Sequence, residues 1–148
     1  MALPRRAPEI TNSTTLLMVL IVLAMAGVAV VTGTVVTGSG PHAGDENAIR
    51  IDLAINTAAK IHSITVIICL VTALVLFLIS RRDPISWRIL AHPLERFLAI
   101  GLIQGLIGYV QYFSGLPVLL VAVHVALSVA VWLAVLDLYW HSKLPKAV

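Results

Sequence analysis

Four long apolar runs, separated by short polar segments, dominate the chain. They cover residues 16–36, 61–80, 97–113 and 116–139. Each approaches the roughly 20 helical residues that cross a bilayer, and a helix satisfies its own backbone hydrogen bonds in lipid. The alternation expected of a membrane β-barrel does not occur in the sequence. The pattern predicts an all-α integral membrane four-helix bundle, one domain over residues 1–148, with helices at about 15–37, 55–80, 96–114 and 117–140.

Composition excludes a soluble globular domain. Hydrophobic residues make up 59% of the chain and charged residues only 11%, against roughly 45–50% and 25% in soluble domains. The first run has an alternative interpretation as a cleaved signal peptide, because Arg5 and Arg6 precede it and a small-residue triplet stands at 24–26. The run continues about ten residues past that triplet, which is too long for a signal peptide and favours a transmembrane helix.

Lysine and arginine are distributed unevenly between the two sides of this layout. Pro84 and Pro93 predict a loop over residues 81–96, on the same side as both termini. That side holds eight basic residues: Arg5, Arg6, Arg81, Arg82, Arg88, Arg96, Lys143 and Lys146. The other side holds only Arg50 and Lys60. Because basic loops stay inside, we expect a multi-pass cell-membrane protein with N and C termini cytoplasmic, and no nucleic acid as partner.

Small and polar residues indicate the inward faces of the helices, since they concentrate at helix interfaces in membranes. The predicted inward stripes are, in helix order, Gly27, Val31, Thr34 and Gly38; His62, Thr65, Cys69, Thr72 and Ala73; Gly101, Gln104, Gly105, Gly108, Gln111 and Tyr112; and His124, Ser128 and Ala134. The lone cysteine lies inside a span, where we expect it to fill the core.

Two histidines, His62 and His124, lie inside the apolar runs, where an ionisable side chain is costly and points to function. His62 stands as far before Arg81 as His124 stands before Lys143, so on helices of the same direction the imidazoles are level. In a bundle, a diagonal pair of helices is separated by roughly 11–14 Å. Two level imidazoles across that gap fit the axial positions of a heme iron. The alternatives are hydrogen bonding to a neighbouring helix, or zinc, which normally needs three or four ligands.

Three further residues are candidates for the same cofactor site. His42, Arg50 and Lys60 lie on the side of the membrane nearer the two histidines. If the propionates of a heme point to that side, the two cations can pair with them and His42 can donate a hydrogen bond. Solvation, loop structure or contact with the headgroups of the lipid bilayer is the alternative for these residues.

Two stretches resemble heme A synthase, in particular its carboxyl-terminal half. They are residues 33–45, GTVVTGSGPHAGD, and residues 104–117, QGLIGYVQYFSGLP, the latter followed by His124. His62 falls where the family has its second-helix histidine. The resemblance implies an oxidoreductase that converts heme O to heme A by oxidising a ring methyl to a formyl group. It also implies that His62 and His124 are the ligands of a heme b.

The family is built from two similar four-helix halves, and this sequence corresponds to one of them. The acidic residue and the cysteine pair of the family's amino-terminal outer loop have no counterpart, since Asp45 and Glu46 stand outside that motif. The resemblance therefore implies a half-unit that works as a homo-oligomer or with a complementary four-helix half, and it assigns no catalytic residue. Two alternatives remain: a bis-histidine electron-transfer cytochrome without substrate chemistry, and a structural or assembly protein of the membrane.

Overall fold

The computed structural model describes residues 9–41, 47 and 49–143, and over this part of the chain the protein forms four α-helices. They are α1 (Ser13–Ser39), α2 (Ile55–Ser80), α3 (Pro84–Phe113) and α4 (Val118–Lys143). Each is long and apolar enough to span a membrane. The prediction of an all-α, multi-pass membrane protein with four spans is confirmed, while the cytoplasmic location of the termini stays a prediction.

The four helices pack as two hairpins. α1 packs most extensively on α2, and α3 on α4, while the two hairpins meet more narrowly along α2–α3 and α1–α4. α2 and α4 therefore stand at opposite corners of the bundle and run in the same direction. We call the end where α1 and α3 begin the core end. The opposite end, where α2 and α4 begin, is called the histidine end.

The hydrophobic core lies entirely in the half of the bundle nearer the core end. Its buried members are Ile10, Val19, Val22, Ala26, Cys69, Ala73, Leu76, Ile89, Leu90, Leu94, Phe97, Ala134, Val135 and Leu138. In the other halves of the helices, at 27–39, 55–68, 102–113 and 118–133, all of which are described, only Ala58 and Thr65 are buried. The large buried side chains therefore lie at the core end, and most residues of the histidine end are only half-buried or exposed.

The predicted loop over residues 81–96 is wrong, because α3 begins at Pro84 rather than near residue 96. Asp83 caps the helix by accepting hydrogen bonds from the backbone N–H groups of Ile85 at 3.2 Å and Ser86 at 3.0 Å. Proline is well tolerated in the first turn of a helix, where its missing N–H has no intrahelical partner. Pro93 lies inside the helix and costs one backbone hydrogen bond, but its ring is buried in the core end.

The predicted inward face of α1 is also wrong in part. Val31 and Thr34 are exposed, and the residues that turn inward are Ala26, which is buried, and Thr32 and Gly33, which contact α2. The predicted stripe is thus rotated by about one residue, or 100°. On α3, Tyr112 is exposed rather than inward, whereas the other members of the predicted stripes are buried or half-buried.

Candidate functional site

His62 lies near the start of α2, with its ring packed against α1. A Cβ atom added to Gly33 would lie 3.1 Å from His62 Cε1, so the ring occupies the space that a side chain at position 33 would fill. The hydroxyl oxygen of Thr32, the preceding residue, lies 3.2 Å from His62 Nδ1. The backbone carbonyl of Ala29 also lies beside the ring. α1 therefore supplies both a space for this imidazole and polar partners for one of its nitrogens.

His124 occupies the corresponding position near the start of α4, with its ring packed against α3. A Cβ atom added to Gly108 would lie 3.0 Å from His124 Cε1. The carbonyl of Gln104 lies beside this ring, but His124 Nδ1 has no aligned hydrogen-bond partner among the described residues. The side-chain amide of Gln104 donates instead to the main-chain carbonyl of His124, at 2.7 Å, and so ties α3 to α4.

The two histidine environments form an internal repeat. In each hairpin, a glycine on the first helix makes room for the ring of a histidine on the second, and a carbonyl four residues before that glycine lies beside the ring. We call each of these spaces a glycine notch. The notches are formed by Gly33 with His62 and by Gly108 with His124. The turns that join the helices within the hairpins share a Ser-Gly pair followed by proline, so the similarity extends along each hairpin.

The two histidines lie on diagonally placed helices at the same end of the bundle. His62 and His124 are both half-buried and lie at similar depths, near the starts of two helices that run in parallel at opposite corners. The rings are also close enough to interact electrostatically. No carboxylate is among the groups that influence either ring in the described part of the chain. In the described part of the chain, the site is thus a pair of imidazoles with neutral polar groups beside them.

Unpaired polar atoms at the histidine end are concentrated on the α3–α4 hairpin. Within the described residues, the buried side-chain atoms without a partner there are Gln104 Oε1, Gln111 Oε1 and His124 Nδ1; Thr15 Oγ1 and Ser80 Oγ lie at the core end. A cavity of about 30 Å³ lies beside Gln111, between the tips of the two hairpins. A second one, of about 170 Å³, is lined by Glu9, Ile89 and His141 at the core end. Neither is lined by His62 or His124.

The other predicted cofactor residues have different placements. The Arg50 guanidinium donates to the carbonyl of Gly40, just past the end of α1, which fixes a positive charge at the histidine end. Lys60 is exposed near the start of α2. His42 lies outside the described residues, as do Asp45 and Glu46. The contacts of these residues with a cofactor stay predictions.

The described residues do not provide a complete set of protein ligands for a small metal ion. Among the residues that the structure describes, no group of three or more His, Cys, Asp or Glu side chains lies together. Cys69 is buried in the core, with its thiol 3.8 Å from the carbonyl of Val22, and it packs there as expected. Two imidazoles alone make an incomplete site for zinc, but they suffice for a cofactor that brings its own equatorial ligands.

Sequence reasoning found the two histidines but missed the residues that hold His62. Thr32 and Gly33 lie one residue away from the stripe predicted on α1. The internal repeat could have revealed Gly33, because Gly33 and Gly108 both stand a few residues before a Ser-Gly turn. Thr32 has no such signal, since the equivalent position on α3 is Ile107.

Comparison with known proteins identifies no relative of this chain. No protein family, no curated protein and no solved structure matches it. The likeness to heme A synthase therefore stays a prediction from the two motifs, and the site is interpreted from its own geometry.

Proposed function

We propose that this protein is a membrane heme protein in which His62 and His124 bind one heme b, and that it serves as a half-unit of a heme A synthase. The observation that carries the heme site is the paired geometry. Two imidazoles at similar depth, each held in a glycine notch, lie on helices at opposite corners of the bundle and are close enough to interact electrostatically.

The dimensions of the bundle support a porphyrin between the hairpins. Diagonal helices of a four-helix bundle are separated by roughly 11–14 Å, which accommodates a planar macrocycle and an imidazole on each side. The hairpins share the buried core at the core end, while at the histidine end the hydroxyl oxygens of Ser63 and Tyr109 lie 2.9 Å apart and link α2 to α3. The interior between the hairpins at that end contains glycines and half-buried polar residues. Each ring packs against its notch glycine in the wall of its own hairpin.

The charges at the histidine end support a heme whose propionates point to that end. Arg50 is held beside the end of α1, and Lys60 extends from the first turns of α2. Charge-assisted hydrogen bonds to carboxylates would fix the orientation of the macrocycle. His42 is the third candidate for this role.

Within a heme A synthase, this half would hold heme b and pass electrons. The overall reaction oxidises the ring methyl of heme O to the formyl group of heme A. The resemblance assigns the substrate heme and the acid–base groups to a second four-helix unit, either a homo-oligomer partner or a complementary half. A second candidate function is an electron-transfer cytochrome that performs no substrate chemistry, for which the same two imidazoles would suffice.

The proposed orientation puts the core end and both termini in the cytoplasm. The bias of eight basic residues against two supports it. Cys69 is the only cysteine and is buried, so Cys69→Ala gives a background for single-cysteine labelling. Arg82→Cys should react with a membrane-impermeant maleimide only after cell lysis, and Pro117→Cys should react in intact cells. The reverse pattern would contradict the orientation.

The heme site is tested by loading the purified protein with heme b in detergent. Wild type should bind one equivalent of heme and give a low-spin six-coordinate optical spectrum. His62→Ala and His124→Ala should each lose this six-coordinate spectrum. His92→Ala and His141→Ala are matched controls at the core end, and both should retain the wild-type spectrum. The proposal would be overturned if wild type binds no heme, or if His62→Ala and His124→Ala both give the wild-type spectrum.

A second experiment separates the synthase from the cytochrome. The protein is co-expressed with a source of heme O, alone and with candidate four-helix partners, and the extracted hemes are separated by chromatography. Heme A that depends on His62 and His124 supports the synthase half-unit. Heme b bound in the protein, without heme A under any combination, supports the electron-transfer cytochrome.

A further inference from the structure

The two halves of the internal repeat differ at one position that touches the site. The residue before the notch glycine is Thr32 on α1 and Ile107 on α3. Thr32 Oγ1 lies 3.2 Å from His62 Nδ1, whereas the aliphatic side chain of Ile107 cannot hydrogen-bond to His124. The two otherwise similar histidines therefore differ in whether a side-chain hydroxyl can hydrogen-bond to Nδ1.

The hydrogen bonds of Thr32 favour one tautomer of His62. Its hydroxyl hydrogen is within reach of the carbonyls of Val28 at 3.0 Å and Ala29 at 3.1 Å. When it is directed to either carbonyl, the oxygen can accept from His62, which requires a hydrogen on Nδ1. The carbonyl of Ala29 beside the same ring favours that hydrogen as well. Nε2 is left with its lone pair, as metal ligation requires, and the ring is fixed in orientation.

His124 has the carbonyl of Gln104 beside its ring, as His62 has that of Ala29, but it lacks a hydroxyl partner. Its Nδ1 has no aligned partner among the described residues, and the Gln104 amide is engaged by the main-chain carbonyl of His124 rather than by the ring. A ligand imidazole whose second nitrogen is unpaired is a weaker base and is free to tilt. Packing in the notch of Gly108 is the main restraint on this ring.

We infer that Thr32 is a positioning residue that makes His62 the fixed axial ligand and leaves His124 as the ligand that an incoming molecule displaces. The inference rests on the proposed heme site. A small neutral ligand such as carbon monoxide would bind ferrous iron on the α3–α4 side. On a heme held by these residues, the bond from His124 Nε2 to iron would break and a bond from iron to carbon would form, with no electron transferred and the imidazole released.

The tautomer of His62 can be measured in the heme-free protein. In wild type labelled with ¹⁵N-histidine, NMR should show His62 with hydrogen on Nδ1 alone, while His124 exchanges between its two tautomers. Thr32→Val should make His62 behave as His124 does, and Thr32→Ser should restore the wild-type state. An unchanged His62 tautomer in Thr32→Val would overturn the role of Thr32.

The displaced ligand can be identified in the heme-loaded protein after reduction with dithionite. The wild-type carbon monoxide complex should have the iron–carbon stretching frequency of the His124→Ala complex and differ from that of His62→Ala. Ile107→Thr, which offers His124 the missing hydroxyl, should slow carbon monoxide binding roughly five- to tenfold, the size of one neutral hydrogen bond. In the double variant Thr32→Ile/Ile107→Thr, the iron–carbon stretching frequency should instead match that of the His62→Ala complex.

The possible failures are distinguishable. A wild type that does not form six-coordinate low-spin heme contradicts the proposed function itself. A normally loaded wild type whose carbon monoxide complex matches His62→Ala, or that binds no carbon monoxide at saturation, contradicts only the assignment of fixed and displaceable ligands.

Discussion

The core end and the histidine end of this bundle are built from the same four helices but packed in opposite ways. At the core end, large side chains such as Leu76, Leu90, Phe97 and Leu138 are completely buried. At the histidine end, glycines and half-buried polar residues line the interior, and two imidazoles occupy the notches. Most of the buried side chains thus lie at one end, and the proposed heme site lies at the other.

The largest expected effect is on the free energy of unfolding, from a substitution in the core end that leaves the histidines unchanged. Leu90→Ala leaves a cavity at the centre of the core and should lower the free energy of unfolding by about 2–4 kcal/mol. Leu106→Ala, at a position exposed on the histidine half of α3, is the matched control and should change it little. Unfolding in mixed micelles measures both variants. Equal losses in the two would contradict the division between the ends.

The next effect concerns the glycine notches. Gly33→Ala and Gly108→Ala would place a Cβ atom 3.1 and 3.0 Å from the respective histidine ring, so each ring must move by a few tenths of an ångström. We expect each to weaken heme binding by about 1–3 kcal/mol, the usual cost of overpacking. Gly105→Ala is the matched control, because a Cβ there meets nothing within 4 Å. Heme titration with all three variants checks the comparison, which fails if Gly105→Ala is the most affected.

A smaller effect is expected from the ion pair that joins α3 and α4 at the core end. Arg96 donates to Asp137 at 3.0 Å, and His141 lies 3.2 Å from the same carboxylate. Because these groups are partly exposed, Asp137→Asn should cost only about 0.2–1 kcal/mol, and added salt should reduce the difference. Glu95→Gln, whose partner His92 lies on the same helix, is the control. Loss of heme binding in Asp137→Asn would contradict the independence of the two ends.

The smallest effect is a pH dependence at the start of α3. A hydrogen bond from the Ser86 hydroxyl, with the backbone N–H groups of the first turn, holds the pKa of Asp83 below its ordinary value of 3.8. A lowered folded-state pKa contributes stability above the unfolded value, and that stability is lost as the pH falls through the folded value. Below pH 3.8, the free energy of unfolding of wild type should therefore fall relative to that of Asp83→Asn. Near neutral pH, the difference in melting temperature between the two heme-free proteins should not change with pH. An opposite trend would contradict this cap.

Hydropathy was sufficient to predict the four helices, because each apolar run is long enough to span a bilayer. It could not predict where α3 begins. Pro84 and Pro93 are helix breakers in most contexts, but here one stands in the first turn and the other is buried in the core. The cap formed by Asp83 is a local signal that could have placed the helix start correctly.

The site was predictable only as far as the histidines themselves. Their depth follows from counting residues, since a helix rises by a constant amount per residue. The rotation of α1 does not follow, because its residues are apolar on every side and the small residues offer two adjacent stripes. Thr32 and Gly33 therefore emerge only from the packing of α1 against α2.

The most direct test of the account counts the histidine nitrogens bound to iron. Pulsed EPR of the ferric, heme-loaded protein labelled with ¹⁵N-histidine should show two coordinated imidazoles in wild type and one in either His62→Ala or His124→Ala. A wild-type spectrum with one imidazole or none, or with two that persist in both variants, would contradict the central claim that these residues share a single heme.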